Sequence, residues 1–105
     1  MTIDELRQRI DRLDEKLVEL LTERANCALQ IGKLKHDLGL DVYQPDREAQ
    51  VLHNVQSHGR EMGSPLGGDA IVRVFERIID EARRIERATA HRSDRHVADV
   101  KVEER

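Results

Sequence analysis

The most constraining feature of this chain is a long alternation of apolar residues three and four positions apart near its start. Ile3, Leu6, Ile10, Leu13, Leu17, Leu20, Cys27, Ile31, Leu34 and Leu38 keep to that spacing, with one interruption at Arg24. Such a pattern lines one face of an α-helix and, sustained over several heptads, asks for a partner helix along the whole seam. Thr2 and Glu5 form a capping box at its head, each side chain satisfying an orphan backbone donor. Gly39 supplies the stop. A helix of ~36 residues is ~54 Å long, whereas a compact domain of ~100 residues has a radius of gyration of only ~13 Å. The helix overshoots its own domain, and the spacing therefore predicts an obligate dimer.

The remainder supports an all-α reading. Charged residues make up 37% of the 105 and aromatics 2%, which suits solvent-washed helices and not a β-sandwich or barrel. Pro45 fits the first position of a second helix, expected over 45–58 with Val51, Leu52 and Val55 inward. Residues 59–68 carry four of the six glycines and read as a loop. A third helix begins between 65 and 70 and runs to about residue 90 on Ile71, Val74, Phe75, Ile78, Ile79, Ala82 and Ile85. The stretch 92–105 lacks an apolar stripe and is expected to be a mobile tail, leaving one helical domain over 1–91.

Composition also excludes function classes. A net charge of −3 and two aromatic residues, Tyr43 and Phe75, provide neither a basic face nor stacking platforms for nucleic acid. No apolar run is long enough to span a membrane, and the opening residues do not resemble an export signal. The single cysteine, Cys27, excludes an internal disulfide and a thiolate metal site, fits a reducing cytoplasm, and reads as a core residue of the seam. His53 and His58 stand five apart, a poor pair of metal ligands. There is no Gly-rich phosphate loop and no nucleophile–base pair, so neither metal nor cofactor is expected.

The informative residues are polar ones placed where apolar ones belong. Arg24 occupies an a position of the seam, where a lone polar residue can fix register. Lys35 lies eleven residues on and points nearly the same way, although a lysine near a helix end is also favoured by the macrodipole. In the second helix, Glu48 shares the face of Val51 and Leu52; an acid there also stabilises a helix start, whereas Arg47 opposes the dipole. Glu86 follows Phe75, Ile79 and Ala82 along one edge, where a core carboxylate is costly unless paired, protonated or turned to water. Arg7 is ~25 Å along the helix from Arg24, too far to share a small ligand within one chain, but an antiparallel partner could bring it in. Four cations suggest a ligand with more than one carboxylate.

The run LRQRIDRLDEKLVELLTERANCALQIGKLK, followed by QPDRE and VFERIIDEARRIE, resembles the all-helical class of chorismate mutases over residues 3–90. The resemblance implies an intertwined homodimer of three-helix chains with two equivalent sites. By the match, Arg7 is donated across the dimer, Arg24 pairs with a substrate carboxylate, and Lys35 donates to the ether oxygen of the breaking bond. Glu48 would accept from the substrate hydroxyl, and Arg47 would support the anionic end. Ala82 and Glu86 fall on two further site positions, where many bacterial members have Ser and Gln. Gln44 stands where Asp is common and would offer chiefly its backbone.

The implied reaction is the [3,3] rearrangement of chorismate to prephenate, in aromatic amino acid biosynthesis. It takes place within one molecule and uses no nucleophile, proton transfer, metal or cofactor. The protein would confine a flexible dicarboxylate and aim donors at the ether oxygen. Glu86 could donate there only when protonated, so activity is expected to fall as it loses its proton. Relatives of this fold eliminate pyruvate from isochorismate or rearrange 4-amino-4-deoxychorismate, and Glu48 is compatible with a hydroxyl or an amine. A reading of another class is a non-catalytic helical dimerisation module, with Arg24 as its register residue.

Overall fold

The computed structural model describes the backbone of residues 1–103 and the side chains of residues 1–89. The chain forms three helices, α1 (Ile3–Leu38), α2 (Pro45–Glu61) and α3 (Gly67–Glu103). α3 packs against both of the others, while the backbones of α1 and α2 do not approach each other closely among the described residues.

The local signals act as expected at the α1 ends. Glu5 N–H donates to Thr2 Oγ1 and Thr2 N–H to Glu5 Oε2, both at 3.1 Å, closing the capping box. Gly39 takes a left-handed conformation at φ 69°, which glycine adopts without a Cβ penalty. Leu40 N–H then returns to the Lys35 carbonyl at 2.8 Å, satisfying one of the orphan acceptors of the last turn. Pro45 is at the start of α2, behind Gln44.

Two boundaries differ from the sequence reading. α2 runs past Gly59 to Glu61, so the loop is shorter than 59–68. Gly59 is buried inside the helix, and a Cβ there would collide with Ile71 Cδ1, so its small size serves α2–α3 packing and not a turn. α3 continues beyond residue 90 to Glu103; no glycine or proline after Gly68 interrupts it. The side chains of the tail 92–105, and Glu104 and Arg105 entirely, lie outside the described residues, and with them the expected mobility.

The fold is extended, 69 × 32 × 15 Å, with a radius of gyration of 18.7 Å. Only Ala28 and Ile79 are buried apolar residues among those described. Ile3, Ile10, Leu13, Leu17 and Leu20 are all exposed along the first half of α1. Val74, expected within the α3 stripe, is also exposed. No helix among the described residues is long and apolar enough to cross a membrane.

Candidate active site

Small residues on α1 set the geometry. Ala28 and Gly32, four apart and both buried, form a shallow strip on which α3 lies. A Cβ at Gly32 would be 3.0 Å from the Glu86 Cα, so the two backbones approach as closely as a glycine permits. That approach brings Glu86 to Lys35, with Nζ 3.0 Å from Oε2 and both side chains largely buried, 16% and 10% exposed. Lys35 Nζ also donates to the Val42 carbonyl at 2.9 Å, tying the α1–α2 connection to the same point. An ammonium has three donors, so one remains. Glu86 has not turned to water, and Lys35 does more than cap a helix end.

A second ion pair lies between α2 and α3. Arg83 Nε donates to Glu48 Oε2 at 3.1 Å and its Nη2 to Oε1 at 2.7 Å, a two-pronged contact with the whole carboxylate. The guanidinium carbon is 5.2 Å from the centroid of the Tyr43 ring, within cation–π range. Asp80 Oδ1 is 3.4 Å from Arg83 Nη2. The hydrogen bond with Glu48 raises the Arg83 pKa above its ordinary value, outweighing the lowering by burial.

Between these pairs opens a cleft of about 480 Å³, within the usual size of a small-molecule site. Arg24 and Lys35 line it from α1, Gln44, Arg47 and Glu48 from the start of α2, and Ala82 and Glu86 from α3. Seven of the eight residues expected at the site therefore meet in one cleft. Arg24 is half-buried and, among the described residues, makes no hydrogen bond or ion pair, leaving its planar donor fork available to a carboxylate. Arg47 is exposed and donates to Gln50 Oε1 at 2.7 Å. Gln44 directs its side chain to the Asp41 carbonyl at 3.0 Å, away from a helix-capping bond.

Arg7 does not join them; it is exposed near the start of α1. Cys27 is a correction. It is exposed and lines the cleft, because α3 crosses α1 at Ala28 and Gly32 and leaves the adjacent Cys27 beside the opening. Arg83 and Gly32 were not anticipated. Arg83 follows Ile79 by four residues and precedes Glu86 by three, so helical spacing places it on the same edge. Gly32 had a fainter signal, a glycine inside a strong helical pattern where it costs ~1 kcal/mol against Ala.

Comparison with known proteins decides the family. The sequence profile described as chorismate mutase type II matches residues 6–87. The chain belongs to the chorismate mutase type II family. Over 86 residues it is 38% identical to a bifunctional chorismate mutase/prephenate dehydratase of Pseudomonas aeruginosa, covering 77% of this chain and 23% of that protein. It is 23% identical over 83 residues to a chorismate mutase of Methanocaldococcus jannaschii, covering 79% and 82%. A chorismate mutase (form II) structure from Thermus thermophilus superposes with a TM-score of 0.77 at 29% identity, covering 81% of this chain and 93% of that one. The chain spans about a quarter of the length of the bifunctional relatives it matches. The three-helix architecture and the family expected from the sequence are thus both established.

Proposed function

We propose that this chain is a chorismate mutase, converting chorismate to prephenate by an intramolecular [3,3] rearrangement. The observation that carries this reading is the convergence of Arg24, Lys35 and Arg47 with Glu48 and Glu86 around one cleft. Such a set can clamp a dicarboxylate and stabilise developing negative charge without forming a covalent bond to it. In the reaction one C–O bond breaks while one C–C bond forms, and no proton leaves the substrate. The contribution of the protein is confinement in the reactive shape and electrostatic stabilisation of the ether oxygen.

Arg24 holds one carboxylate through its unpaired fork, and Arg47 supports the anionic end. Lys35 has one donor beyond those given to Val42 and Glu86, and that donor serves the ether oxygen. Glu48 accepts from the substrate hydroxyl through lone pairs that Arg83 leaves open. Glu86 donates to the ether oxygen when protonated, and when ionised it repels the charge growing there. Gln44 contributes its backbone, and Ala82 leaves room. Neither a metal nor a cofactor enters this scheme.

The proposed working form is a cytoplasmic homodimer in which Arg7 of one chain completes the partner's site. Support comes from the apolar ladder of α1, with Ile3 68%, Ile10 54% and Leu17 55% exposed in the single chain. Monomeric proteins rarely leave so long an apolar strip to water. Sedimentation should show a dimer that dissociates only on unfolding, and a folded monomer at micromolar concentration would refute it. Incubation with chorismate, isochorismate and 4-amino-4-deoxychorismate, followed by product identification, tests the activity. Prephenate from chorismate is the expected outcome; pyruvate release from isochorismate, or turnover of the amino compound alone, would replace this reading.

A further inference from the structure

The Arg83–Glu48 pair has no part in clamping a dicarboxylate, yet it lines the same cleft. Several features mark it as more than a surface ion pair. Arg83 reaches both oxygens of Glu48, at 3.1 and 2.7 Å. The two side chains are only 26% and 21% exposed. Tyr43 lies against the guanidinium, and Asp80 Oδ1 is 3.4 Å from the same Nη2 that reaches Glu48, so carboxylate and ring both hold it in place. The contact fixes the orientation of the Glu48 carboxylate. It also changes what that carboxylate offers a ligand.

An isolated carboxylate attracts an ammonium more strongly than a neutral hydroxyl. One already neutralised by a guanidinium on both oxygens keeps its lone pairs but loses most of its net field. A hydroxyl needs only a lone pair. A cationic amine would lose the attraction and would face the Arg83 charge across the shared carboxylate, with Arg47 lining the same cleft.

We propose that Arg83 is a specificity-determining residue: by orienting and neutralising Glu48, it makes this subsite accept a neutral hydroxyl and reject a cationic amine. This rests on the reading of Glu48 as the acceptor of the substrate's ring substituent. Arg83 acts through Glu48, so it is a positioning residue and need not touch the ligand.

The test uses ring-reduced derivatives of chorismate and of its 4-amino-4-deoxy counterpart, which retain the hydroxyl or the amine but cannot rearrange. Calorimetry on the full chain gives a hydroxyl-to-amine affinity ratio independent of turnover. The ratio is expected to favour the hydroxyl in the wild type and to fall by ~10-fold or more in Arg83→Gln, since a like charge facing the amine has been removed. Arg83→Lys keeps the charge and should keep the preference, with weaker binding of the hydroxyl ligand from poorer orientation of Glu48. Glu48→Gln leaves the guanidinium unneutralised, so the ratio should rise. Loss of the carboxylate alone has that effect, so the deciding comparison, should Arg83→Gln fail to fold, is Glu48→Gln against the double variant that also carries Arg83→Gln, in which the ratio should fall again. An unchanged ratio in Arg83→Gln or in Glu48→Gln, with helicity intact, overturns the inference. The two readings separate cleanly: ratios that shift as stated without prephenate formation from chorismate refute only the reaction. A wild type that binds neither derivative refutes both.

Discussion

The two halves of α1 carry the same apolar spacing and meet different fates. From Arg24 to Lys35, α1 lies against α3 and its polar exceptions turn into a cleft. From Ile3 to Leu21 the same pattern faces water in the single chain, with Arg7 among its exposed residues. The difference comes from length. α1 is buried only at Ala28 and Gly32, its side chains face α3 from Leu21 onward, and no residue of its earlier turns is covered. Periodicity thus marks a surface to be covered without saying what covers it. The breaks in the pattern are better guides to chemistry, since a charge is tolerated on a seam only where a partner or ligand meets it.

The largest effect should come from the packed half. Lys35→Ala is expected to lower kcat by ~10²–10³-fold, the usual cost of removing a donor aimed at developing charge. It should also lower Tm by leaving Glu86 buried without its partner. Steady-state kinetics and thermal denaturation read both. Activity within tenfold of wild type would show that the cleft is not where the charge develops.

The exposed half is tested by mixing chains. Arg7→Ala and Arg24→Ala should each be nearly inactive alone, having lost a charge-assisted contact to substrate. Co-refolded in equal amounts, a statistical mixture should recover about a quarter of the wild-type sites, because each heterodimer keeps one intact site. No recovery in demonstrated heterodimers would mean that the two halves of α1 do not meet across a dimer. Arg24→Leu extends the test. A pure dimerisation module would keep or gain stability and have no activity to lose.

A smaller effect should follow at the crossing. Gly32→Ala gains ~1 kcal/mol of helix propensity, but its Cβ meets the Glu86 backbone, and overpacking of that kind costs ~1–3 kcal/mol. The expected result is a lowered Tm and a reduced kcat as Glu86 moves from Lys35. Gly59→Ala meets only the tip of Ile71, which can rotate, so it should cost less and spare kcat. Equal effects at both glycines would sever the link between the crossing and the chemistry.

The smallest change is Glu86→Gln, which keeps a polar group beside Lys35 but removes the carboxylate of the ion pair. If the side chain at 86 donates to the ether oxygen, the amide should keep or raise kcat; a fall of ~10-fold or more in steady-state kinetics would leave Lys35 as the sole donor of this pair.

The site was legible wherever a charge interrupted an apolar stripe. Arg24, Lys35, Glu48 and Glu86 all stood out because burial of a charge needs a reason. Arg83 did not stand out, although its spacing from Ile79 and Glu86 was visible. Arginine on a helix flank is ordinarily solvated, and nothing in the local pattern announces a carboxylate thirty-five residues earlier. Cys27 misled for a related reason. A d position is apolar by pattern, but whether it is covered depends on where the neighbouring helix crosses.

The sequence by itself determined the three helices, most of their ends and the excess length of α1. These follow from short-range rules: the apolar period, the capping box at Thr2 and Glu5, and the left-handed glycine at 39. It also marked which charges would be costly if buried. Tertiary structure alone decided which of them meet. The Lys35–Glu86 contact joins residues fifty-one apart, and it depends on the close approach of α3 at Gly32. The Arg83–Glu48 pair requires α2 to pack against the same helix. Propensity acts over one or two turns, whereas side chains on separate helices meet only where backbone packing sets the crossing, and no local period encodes that point.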